Sequence, residues 1–494
     1  MHIKKLLAPV VLPLTITAVF GLAACGDDSS SGTDANIDNP ADPSNPSDPG
    51  TQTDPGTQTD PGTQTDPGAQ TDPGTQTNPG QQGNTGVWTP TVALGTGANP
   101  EYSTAIYASW KEFHYVTLED ELVYYPTLSE QADEVFTEQF RPAARVIWQA
   151  QSTGYYADKC KTANSTKSNM KARGCTVSEG TGYGMLLTVA NEDKDAFDRL
   201  WNYSKAIREY NSTSVTKMYL TPWITYSFGY DKIDNSSATD ADLDIATSLV
   251  MMYYKTQNEA YKVDALNIIN AIWDAEVNKT TYLLYSGNTS TWVNDNPVYN
   301  LSYFSPVALR LFAVVDPAHD WNKVLDSMYA YMMQVQNAGT GVFPDWSDAS
   351  GAAVNPNNGS ADKTYWTFNK ESVRIPWRIA WDYYWFADER DQAILAKLNS
   401  FISTRASGDP SSPALGTSYS WDPSKSDISS TVVPPQWLAG WCATGIGTNP
   451  DWLNACTNLV NAKTLTRNGS SYFPDILLGL YSALLNGKFV RPAI

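Results

Sequence analysis

Three acidic segments are the places in this chain where side chains could transfer protons. They are VSEGTGYG around Glu179, ATDADLDIA around Asp240 and NKESVR around Glu371. A carboxyl group acts as a general acid or base when burial or a neighbouring charge moves its pKa toward the working pH. Of two such groups facing one bond, one can protonate a leaving atom while the other activates water. The three segments therefore indicate acid–base chemistry carried by carboxyl groups.

Glu179 lies among glycines at the start of an apolar helix. One interpretation is an ordinary first-turn acid that complements the helix dipole, with Ser178 as the N-cap. The other is that the glycines clear room for a large ligand to lie across the carboxyl group. The dipole alone would lower the pKa of Glu179, whereas a general acid needs burial or a second carboxyl group to raise it. Proton donation by Glu179 therefore requires a partner acid.

Asp240, Asp242 and Asp244 crowd the start of a second predicted helix, which Thr239 can cap. At helical spacing, Asp240 and Asp244 lie one turn apart on the same face and Asp242 points elsewhere. Like charges at that spacing repel each other. The segment is either a triple-acid helix start stabilised by the dipole or part of a functional site.

Glu371 precedes Arg374 by three residues, and Arg378 follows one helical turn later on a tryptophan-rich helix. Arginines on an apolar helix need carboxylate or ligand partners. A structural ion pair between Glu371 and Arg374 is one interpretation, and a site acid with its orienting arginine is the other.

Helical periodicity dominates the region that must position these acids. Apolar residues share one face in 193–210 and in 261–277, and strand-like alternation is scarce. About a dozen helices fit the pattern, which suggests helical hairpins stacked into a closed ring or an open solenoid. The absence of a regular internal repeat favours the ring. The other predicted helices are 103–113, 133–151, one from Ser178, 240–255, 305–315, 320–337, 374–388, 391–404, 434–444, 451–462 and 474–486.

The N-terminus predicts export. Two lysines precede a short, proline-broken apolar run, and its end, LAAC at 22–25, resembles the lipobox of bacterial lipoproteins. We expect a signal peptide over 1–25 and lipid attachment at Cys25, with a plain secretory signal as the alternative. Residues 26–97 are rich in Asp, Pro, Gly and Thr and include tandem TQTDPG repeats, so they predict a disordered linker. Residues 98–494 carry no second boundary of that kind and predict one large domain.

Composition excludes several classes of site. The formal net charge of -19 argues against a nucleic-acid partner. The mature chain has only two histidines, His114 and His319, which argues against Ser/His/Asp or Cys/His catalysis. The chain has 17 Trp and 28 Tyr. That excess fits either a groove that stacks a hydroxyl-rich ligand or a large aromatic core.

Four cysteines remain once Cys25 is assigned to lipid. They form two close sequence pairs, and export permits disulfides. We expect Cys160 to bond with Cys175 and Cys442 with Cys456. A zinc site is the alternative, but these spacings match no CxxC pattern and histidines are few.

The three acidic segments together resemble glycoside hydrolase family 8, the bacterial inverting β-1,4-glycanases. VSEGTGYGMLL is similar to the acid segment of the family, and ATDADLDIA to its aspartate signature. Five further segments have counterparts in the same order: LWNYSKAIRE, SYFSPVALRLF, FPDW, VRIPWRIAWDYYW and YFPDILLGLYSALLNGKF. The resemblance covers residues 100–490. It implies an all-α fold, an (α/α)6 barrel of helical hairpins with a cleft across one end.

The resemblance also implies roles for individual residues. Glu179 would be the general acid, and Asp240 would bind the sugar and raise the pKa of Glu179 by its charge. Many members have an aspartate as base three residues before the arginine; Glu371 stands there, so it is the expected base, with Asp240 or another cleft acid in reserve. Arg374 would orient Glu371 or bind a sugar hydroxyl. Tyr183 and Trp223 are expected to line subsites, with core packing as the alternative.

The activity implied is endo-acting, inverting cleavage of β-1,4-linked polysaccharide, with cellulose or β-glucan first and xylan second. Two alternatives remain open: exo action on xylo-oligosaccharides, and a non-catalytic surface glycan-binding protein, suggested by glutamate at 371. No motif implies a metal or an organic cofactor. We expect a monomer anchored at the bacterial cell envelope that contacts the membrane through its lipid alone.

Overall fold

The computed structural model describes most of the chain from residue 88 onward. The described residues are 88–124, 140–148, 174–210, 219–226, 228, 231–232, 236–337, 340–356, 365–427, 433–465 and 472–494. The expected signal peptide, Cys25, nearly all of the expected linker, and Cys160 lie outside them.

Thirteen α-helices occur in these described stretches, and local sequence explains where many of them begin. Proline occupies the first position of four helices, at 100, 306, 435 and 450, where its missing N–H costs no hydrogen bond. Asn99 accepts hydrogen bonds from the first free N–H groups of its helix. The helices are α1 (Pro100–His114), α2 (Leu118–Tyr124), α3 (Ser178–Ala190), α4 (Lys194–Tyr210), α5 (Thr239–Thr256), α6 (Glu259–Glu276), α7 (Pro306–Val315), α8 (Trp321–Asn337), α9 (Ile375–Phe386), α10 (Glu389–Arg405), α11 (Pro435–Ala443), α12 (Pro450–Val460) and α13 (Tyr472–Leu485).

Six of these helices contact one another in a closed circle: α3 with α5, then α7, α9, α11, α13 and back to α3. Each has an outer partner packed against it, namely α4, α6, α8, α10, α12 and α1 in the same order. This double ring confirms the predicted (α/α)6 barrel. Inner and outer helices alternate along the chain, so the N-terminal ends of all six inner helices lie at one end of the barrel.

Burial explains why the inner helices occupy the inner ring. Every residue of α3 except Glu179 is buried. A helix that is apolar all round must be covered on all sides. Six tryptophans are among the largest fully buried side chains, so much of the aromatic excess forms core: Trp110, Trp321, Trp377, Trp381, Trp441 and Trp452.

Short antiparallel strands connect the helices at several places. The strands are β1 (Tyr115–Thr117), β2 (Ala144–Val146), β3 (Cys175–Val177), β4 (Ile224–Tyr226), β5 (Asp231–Lys232), β6 (Val298–Tyr299), β7 (Ser347–Asp348), β8 (Thr367–Phe368) and β9 (Tyr419–Ser420). They form the sets β1–β2, β3–β4–β5, β6–β7 and β8–β9. The predicted helix over 133–151 is wrong at β2, because Val146 pairs with Tyr115 of β1 and this distant pairing outweighs local periodicity.

A disulfide and packing contacts hold α12 and the residues before α1 against the rest of the barrel. Cys442 and Cys456 form a disulfide between α11 and α12. Cys175 is also disulfide-bonded. Trp88 packs edge-on against Tyr384, and Val92 is buried, so residues before position 98 also contact the barrel. Among the described helices, none combines the length and apolarity needed to cross a membrane.

Candidate active site

Arg374 gathers three carboxyl groups at the end of the barrel where the inner helices begin. Its Nη1 lies 2.5 Å from Glu179 Oε2 and 3.2 Å from Asp240 Oδ2, and its Nη2 contacts Glu371 Oε2. Glu179 comes from the first turn of α3, Asp240 from the first turn of α5, and Glu371 and Arg374 from the turn before α9. We call these four residues the Arg374 cluster. All three acids expected to do chemistry therefore meet at one guanidinium group.

Glu179 is oriented from both sides of its helix start. The Ser178 N–H donates to the carbonyl of Trp223 at 2.9 Å, and the Tyr472 hydroxyl donates to Glu179 Oε1 at 2.8 Å. Val177 is the N-cap and its side chain makes no capping hydrogen bond, so the expectation that Ser178 caps this helix is wrong. Thr239 likewise begins α5 rather than capping it, and Ala238 is the N-cap.

The glycines beside Glu179 make room for protein. A Cβ on Gly180 would lie 3.0 Å from the Tyr472 hydroxyl, and one on Gly182 would lie 2.9 Å from the Cβ of Asp244. Real Cβ atoms essentially never approach closer than 3.0 Å. The glycines therefore let α5 and Tyr472 approach α3. This corrects the interpretation that they clear space for a ligand.

Glu371 is held by residues of the short segment that precedes α7. Asn300 Nδ2 donates to Glu371 Oε2 at 2.7 Å, and Asn300 Oδ1 in turn accepts from the backbone N–H and hydroxyl of Ser302. The Arg374 guanidinium also lies 5.4 Å from the ring of Tyr303. The carboxylate of Glu371 is thus fixed by an amide on one side and a guanidinium on the other.

Access to solvent differs within the Arg374 cluster. The side chains of Glu179 and Glu371 are 18% and 14% exposed, whereas those of Asp240 and Arg374 are 2% and 3% exposed. A ligand arriving from solvent therefore meets Glu179 and Glu371 first, with Asp240 behind them.

Burial raises the pKa of two acids of the Arg374 cluster, Glu179 and Asp240. It raises the pKa of Glu179, the negative charges of Glu371 and Asp244 add to that effect, and Arg374 and the Tyr472 hydrogen bond oppose it. Burial also raises the pKa of Asp240 to about 8, with the charge of Glu179 adding and that of Arg374 opposing. Desolvation is thus the main cause of the raised pKa of Glu179, and the acids whose charges add to it are Glu371 and Asp244 rather than the expected Asp240.

The other two aspartates of α5 have separate partners. Asp244 and Arg378 form a paired interaction in which Nη2 lies 2.8 Å from Oδ2 and Nη1 contacts Oδ1. Both side chains are fully buried, and we call them the Arg378 pair. Asp242 accepts a hydrogen bond from the Thr221 N–H at 2.8 Å. As the helical spacing predicts, Asp240 and Asp244 share a face and Asp242 points elsewhere.

Tyr183 and Trp223 lie in the core. Tyr183 is fully buried and packs edge-on against Trp377, with the Arg378 guanidinium 5.7 Å from its ring. Trp223 is 6% exposed and supports the start of α3 through its backbone carbonyl. The expectation that Tyr183 lines a subsite does not fit a ring with no exposed surface. For both residues, the core-packing interpretation agrees with their burial.

Comparison with known proteins gives the family. Residues 151–452 match the model of glycosyl hydrolases family 8. A Beta-glucanase of Niallia circulans is 30% identical over 369 residues, covering 70% of this chain and 85% of that protein. The chain belongs to glycosyl hydrolases family 8. Endoglucanase C of Ruminiclostridium cellulolyticum is 34% identical over 232 residues, 46% of this chain and 47% of that one. The match thus spans about half the length of this second relative.

Solved structures similar to this family 8 chain show the same fold. A Beta-1,3-1,4-glucanase from Paenibacillus sp.X4 aligns with a TM-score of 0.62 at 23% identity, over 82% of this chain and 97% of that chain. A reducing-end-xylose releasing exo-oligoxylanase aligns with a TM-score of 0.59 at 16% identity, over 80% and 95%. Both identities are low, so the likeness supports the architecture alone.

Sequence reasoning missed three contacts that shape this family 8 site. Tyr472 binds Glu179, Asn300 binds Glu371, and Asp345 binds the turn that carries Glu371. Tyr472 lies in YFPDILLGLY, Asn300 lies just before SYFSPVALRLF, and Asp345 lies in FPDW; all three segments carry the family resemblance. A polar residue within such a segment was the available signal, but the sequence alone does not say which acid each one would meet.

Proposed function

We propose that this protein hydrolyses β-1,4-linked glucan internally, by a single displacement with inversion at the anomeric carbon. The observation that carries the proposal is the Arg374 cluster. Three acids from separate elements share one buried guanidinium, and the two outer ones reach solvent. Family membership supports the same reaction class.

In this reaction, Glu179 is the general acid. Its proton moves to the glycosidic oxygen as the bond from that oxygen to the anomeric carbon breaks. A water attacks the anomeric carbon from the opposite face and gives its proton to Glu371. The products are a chain end with inverted configuration and a leaving chain with a free hydroxyl. The raised pKa of Glu179 supports its role, because the group must hold a proton when substrate binds.

Glu179 and Glu371 come from separate elements and bind different nitrogens of one guanidinium. Inverting glycosidases hold their carboxyl groups roughly 6.5–9.5 Å apart, so that a water fits between the base and the sugar. The proposed mechanism requires Glu179 and Glu371 to hold that spacing around a bound sugar.

Asp240 lies behind the outer acids as a sugar-binding group. With a pKa of about 8, its carboxyl is largely protonated at neutral pH and can donate a hydrogen bond to a sugar hydroxyl. Arg374 fixes all three carboxyl groups and balances part of their charge. Glu371 replaces the aspartate expected as base, and the hydrogen bond from Asn300 holds its longer side chain.

The substrate assignment is supported by relatives named Beta-glucanase and Endoglucanase C. We therefore place β-glucan and cellulose first and xylan second. Product profiling on cellulose, mixed-linkage glucan and xylan tests this order. We expect short oligosaccharides of several lengths from glucans, with the α-anomer appearing first in proton NMR of a fresh digest. Release of xylose alone from oligosaccharide ends would contradict it, and so would tight glucan binding without any release of sugar.

We also propose that the chain is exported and held at the cell envelope through lipid on Cys25. The support is the sequence LAAC at 22–25 followed by a long polar segment. Expression of the full chain in a bacterial host tests it. Wild type should fractionate with membranes and Cys25→Ala should not; equal fractionation of the two would contradict the proposal.

A further inference from the structure

Asp345 lies in the FPDW segment, Phe343–Trp346, and is buried beside the turn that carries Glu371. One of its oxygens, Oδ1, accepts three hydrogen bonds. The donors are the Asn369 N–H at 2.9 Å, the Ser372 N–H at 3.0 Å and the Ser372 hydroxyl at 2.5 Å. Asn369 and Ser372 are on either side of Glu371 in the chain. One carboxyl group thus holds both ends of the segment from which Glu371 projects.

The same segment forms a single tight turn. The Val373 N–H donates to the carbonyl of Asn369 at 2.9 Å, and the Arg374 N–H donates to the carbonyl of Glu371 at 3.2 Å. Free N–H groups at the start of such a turn need acceptors when they are buried. Asp345 supplies that acceptor from a part of the chain 27 residues before Ser372.

Asp345 is itself fixed in place. Its backbone N–H donates to the carbonyl of Tyr365 at 3.1 Å, and the strand β7, which begins two residues later at Ser347, pairs with β6. The strand β6 ends at Tyr299, next to Asn300, whose amide binds Glu371. Asp345, which holds the backbone around Glu371, lies just before β7. Asn300, which binds the carboxylate of Glu371, lies just after β6. The β6–β7 pair therefore connects both supports of Glu371.

We propose that Asp345 is a positioning residue that sets the reach of Glu371 toward the attacking water. This inference rests on the proposed function, in which Glu371 is the base. Hydrogen bonds to a carboxylate are shorter and stronger than those to a neutral acceptor. A displacement of about 1 Å in a catalytic group can lower the rate about a hundredfold. A firm anchor at the base of a long glutamate side chain therefore matters for turnover.

A negative charge on Asp345 is unfavourable at this buried position beside Glu371. Burial and the nearby charge of Glu371 raise the pKa of Asp345 to about 7, and the hydrogen bonds from Ser372 and Asn369 oppose that rise. The chain has an acid at position 345 in spite of its repulsion with Glu371. We take this as support for a role in which the strong hydrogen bonds of a carboxylate hold the turn.

Alanine and asparagine variants of Asp345 test the proposal, with Asp316→Ala as the matched control. Asp316 is also buried, and also binds three donor groups, on Ala318, His319 and Trp321. It follows α7 at the end of that helix remote from the Arg374 cluster. We expect Asp345→Ala to lower kcat about a hundredfold with KM changed less than threefold. Asp345→Asn keeps an acceptor oxygen and should stay within tenfold of wild type. Asp316→Ala should leave kcat unchanged.

A double-mutant cycle with Glu371 separates positioning from general damage. In Glu371→Ala, azide can replace the activated water: its nitrogen bonds to the anomeric carbon as the glycosidic bond breaks and Glu179 protonates the leaving oxygen. Adding Asp345→Ala to that background should change the azide-supported rate less than threefold, because no base side chain remains to be positioned. Thermal unfolding of each variant provides a check on folding.

Two results would overturn the proposal. One is a kcat for Asp345→Ala equal to that of Asp316→Ala. The other is a loss of azide-supported rate as large as the loss in the wild-type background, which indicates a purely structural role. Failure of the proposed function has a different signature, because Glu371→Ala alone would then turn over with water at the wild-type rate.

Discussion

Arg374 and Arg378 lie one helical turn apart, but their surroundings differ. Arg374 meets three carboxyl groups, of which two reach solvent. Within the described residues, Arg378 forms an ion pair with one carboxyl group, that of Asp244, and both members of that pair are fully buried. The Arg378 pair is balanced in charge and closed to ligands. The Arg374 cluster carries an excess of acid around one cation and is open on one side.

The Arg374 cluster and the Arg378 pair differ in the number of carboxyl groups around one arginine. In a one-to-one buried pair the charges balance: burial raises the pKa of Asp244, and the charge and hydrogen bonds of Arg378 oppose that rise. Three carboxyl groups cannot all be ionised around one guanidinium, so protons stay bound there. The proposed proton-transfer site therefore differs from the structural ion pair in its ratio of acids to arginine and in its access to solvent, although the residue types are the same.

Removing the proposed proton donor should have the largest effect on turnover. We expect Glu179→Gln to lower kcat by about 10²–10⁴-fold, because the leaving oxygen then lacks its acid. Polysaccharide binding and the thermal unfolding midpoint should change little. Reducing-end assays and binding to insoluble glucan measure both. Glu192→Gln, at an exposed acid just after α3, is the control and should match wild type. Normal turnover by Glu179→Gln would remove this residue as the acid.

Breaking the Arg378 pair should affect stability instead. Asp244→Asn leaves Arg378 buried without a carboxylate, and we expect the free energy of unfolding to fall by about 3–5 kcal/mol. The folded fraction should keep kcat within a fewfold of wild type. Urea unfolding measures the loss. Asp326→Asn, which breaks an exposed pair with Arg390, should change the free energy by less than about 1 kcal/mol. Equal losses in the two variants would contradict the contrast drawn here.

Shortening the base tests the reach within the Arg374 cluster. Glu371→Asp withdraws the carboxylate by about 1.5 Å, away from Asn300 and the water. We expect kcat to fall about a hundredfold while inverted product is retained, measured by NMR of fresh digests. The same change at Glu389, an exposed position at the start of α10, should have no effect. A rise in kcat would mean that aspartate is the better base on this backbone.

The last prediction concerns the pH dependence of stability. Asp240 has a folded pKa of about 8, far above its ordinary 3.8, so the folded state retains a proton that the unfolded state releases between these values. Its contribution to stability is present below about pH 4 and is lost as pH rises to about 8. Unfolding free energies measured across this range should decline less steeply in Asp240→Asn. A slope unchanged by the substitution would show that Asp240 is not the group concerned.

Local patterns in the sequence predicted most of the helices and the types of side chain in the site. Spacing placed Asp240 and Asp244 on one face, and the structure has them there. Capping residues were misplaced by one position at Ser178 and Thr239, because several residues at a helix start can satisfy the local rules. The helix expected through 144–146 was wrong, because a strand partner almost thirty residues away decides the backbone there.

What the sequence determined by itself was the set of periodic apolar faces, the acids that could carry protons, and the arginines that needed partners. Only the tertiary structure decided that Glu179 would meet an arginine 195 residues later and a tyrosine 293 residues later. The tertiary structure also decided that Tyr183 is buried in the core and that Asp345 binds the turn that carries Glu371. Periodicity specifies which side chains share a face of a helix. It does not specify which other helix that face will meet, since that depends on closure of the whole ring.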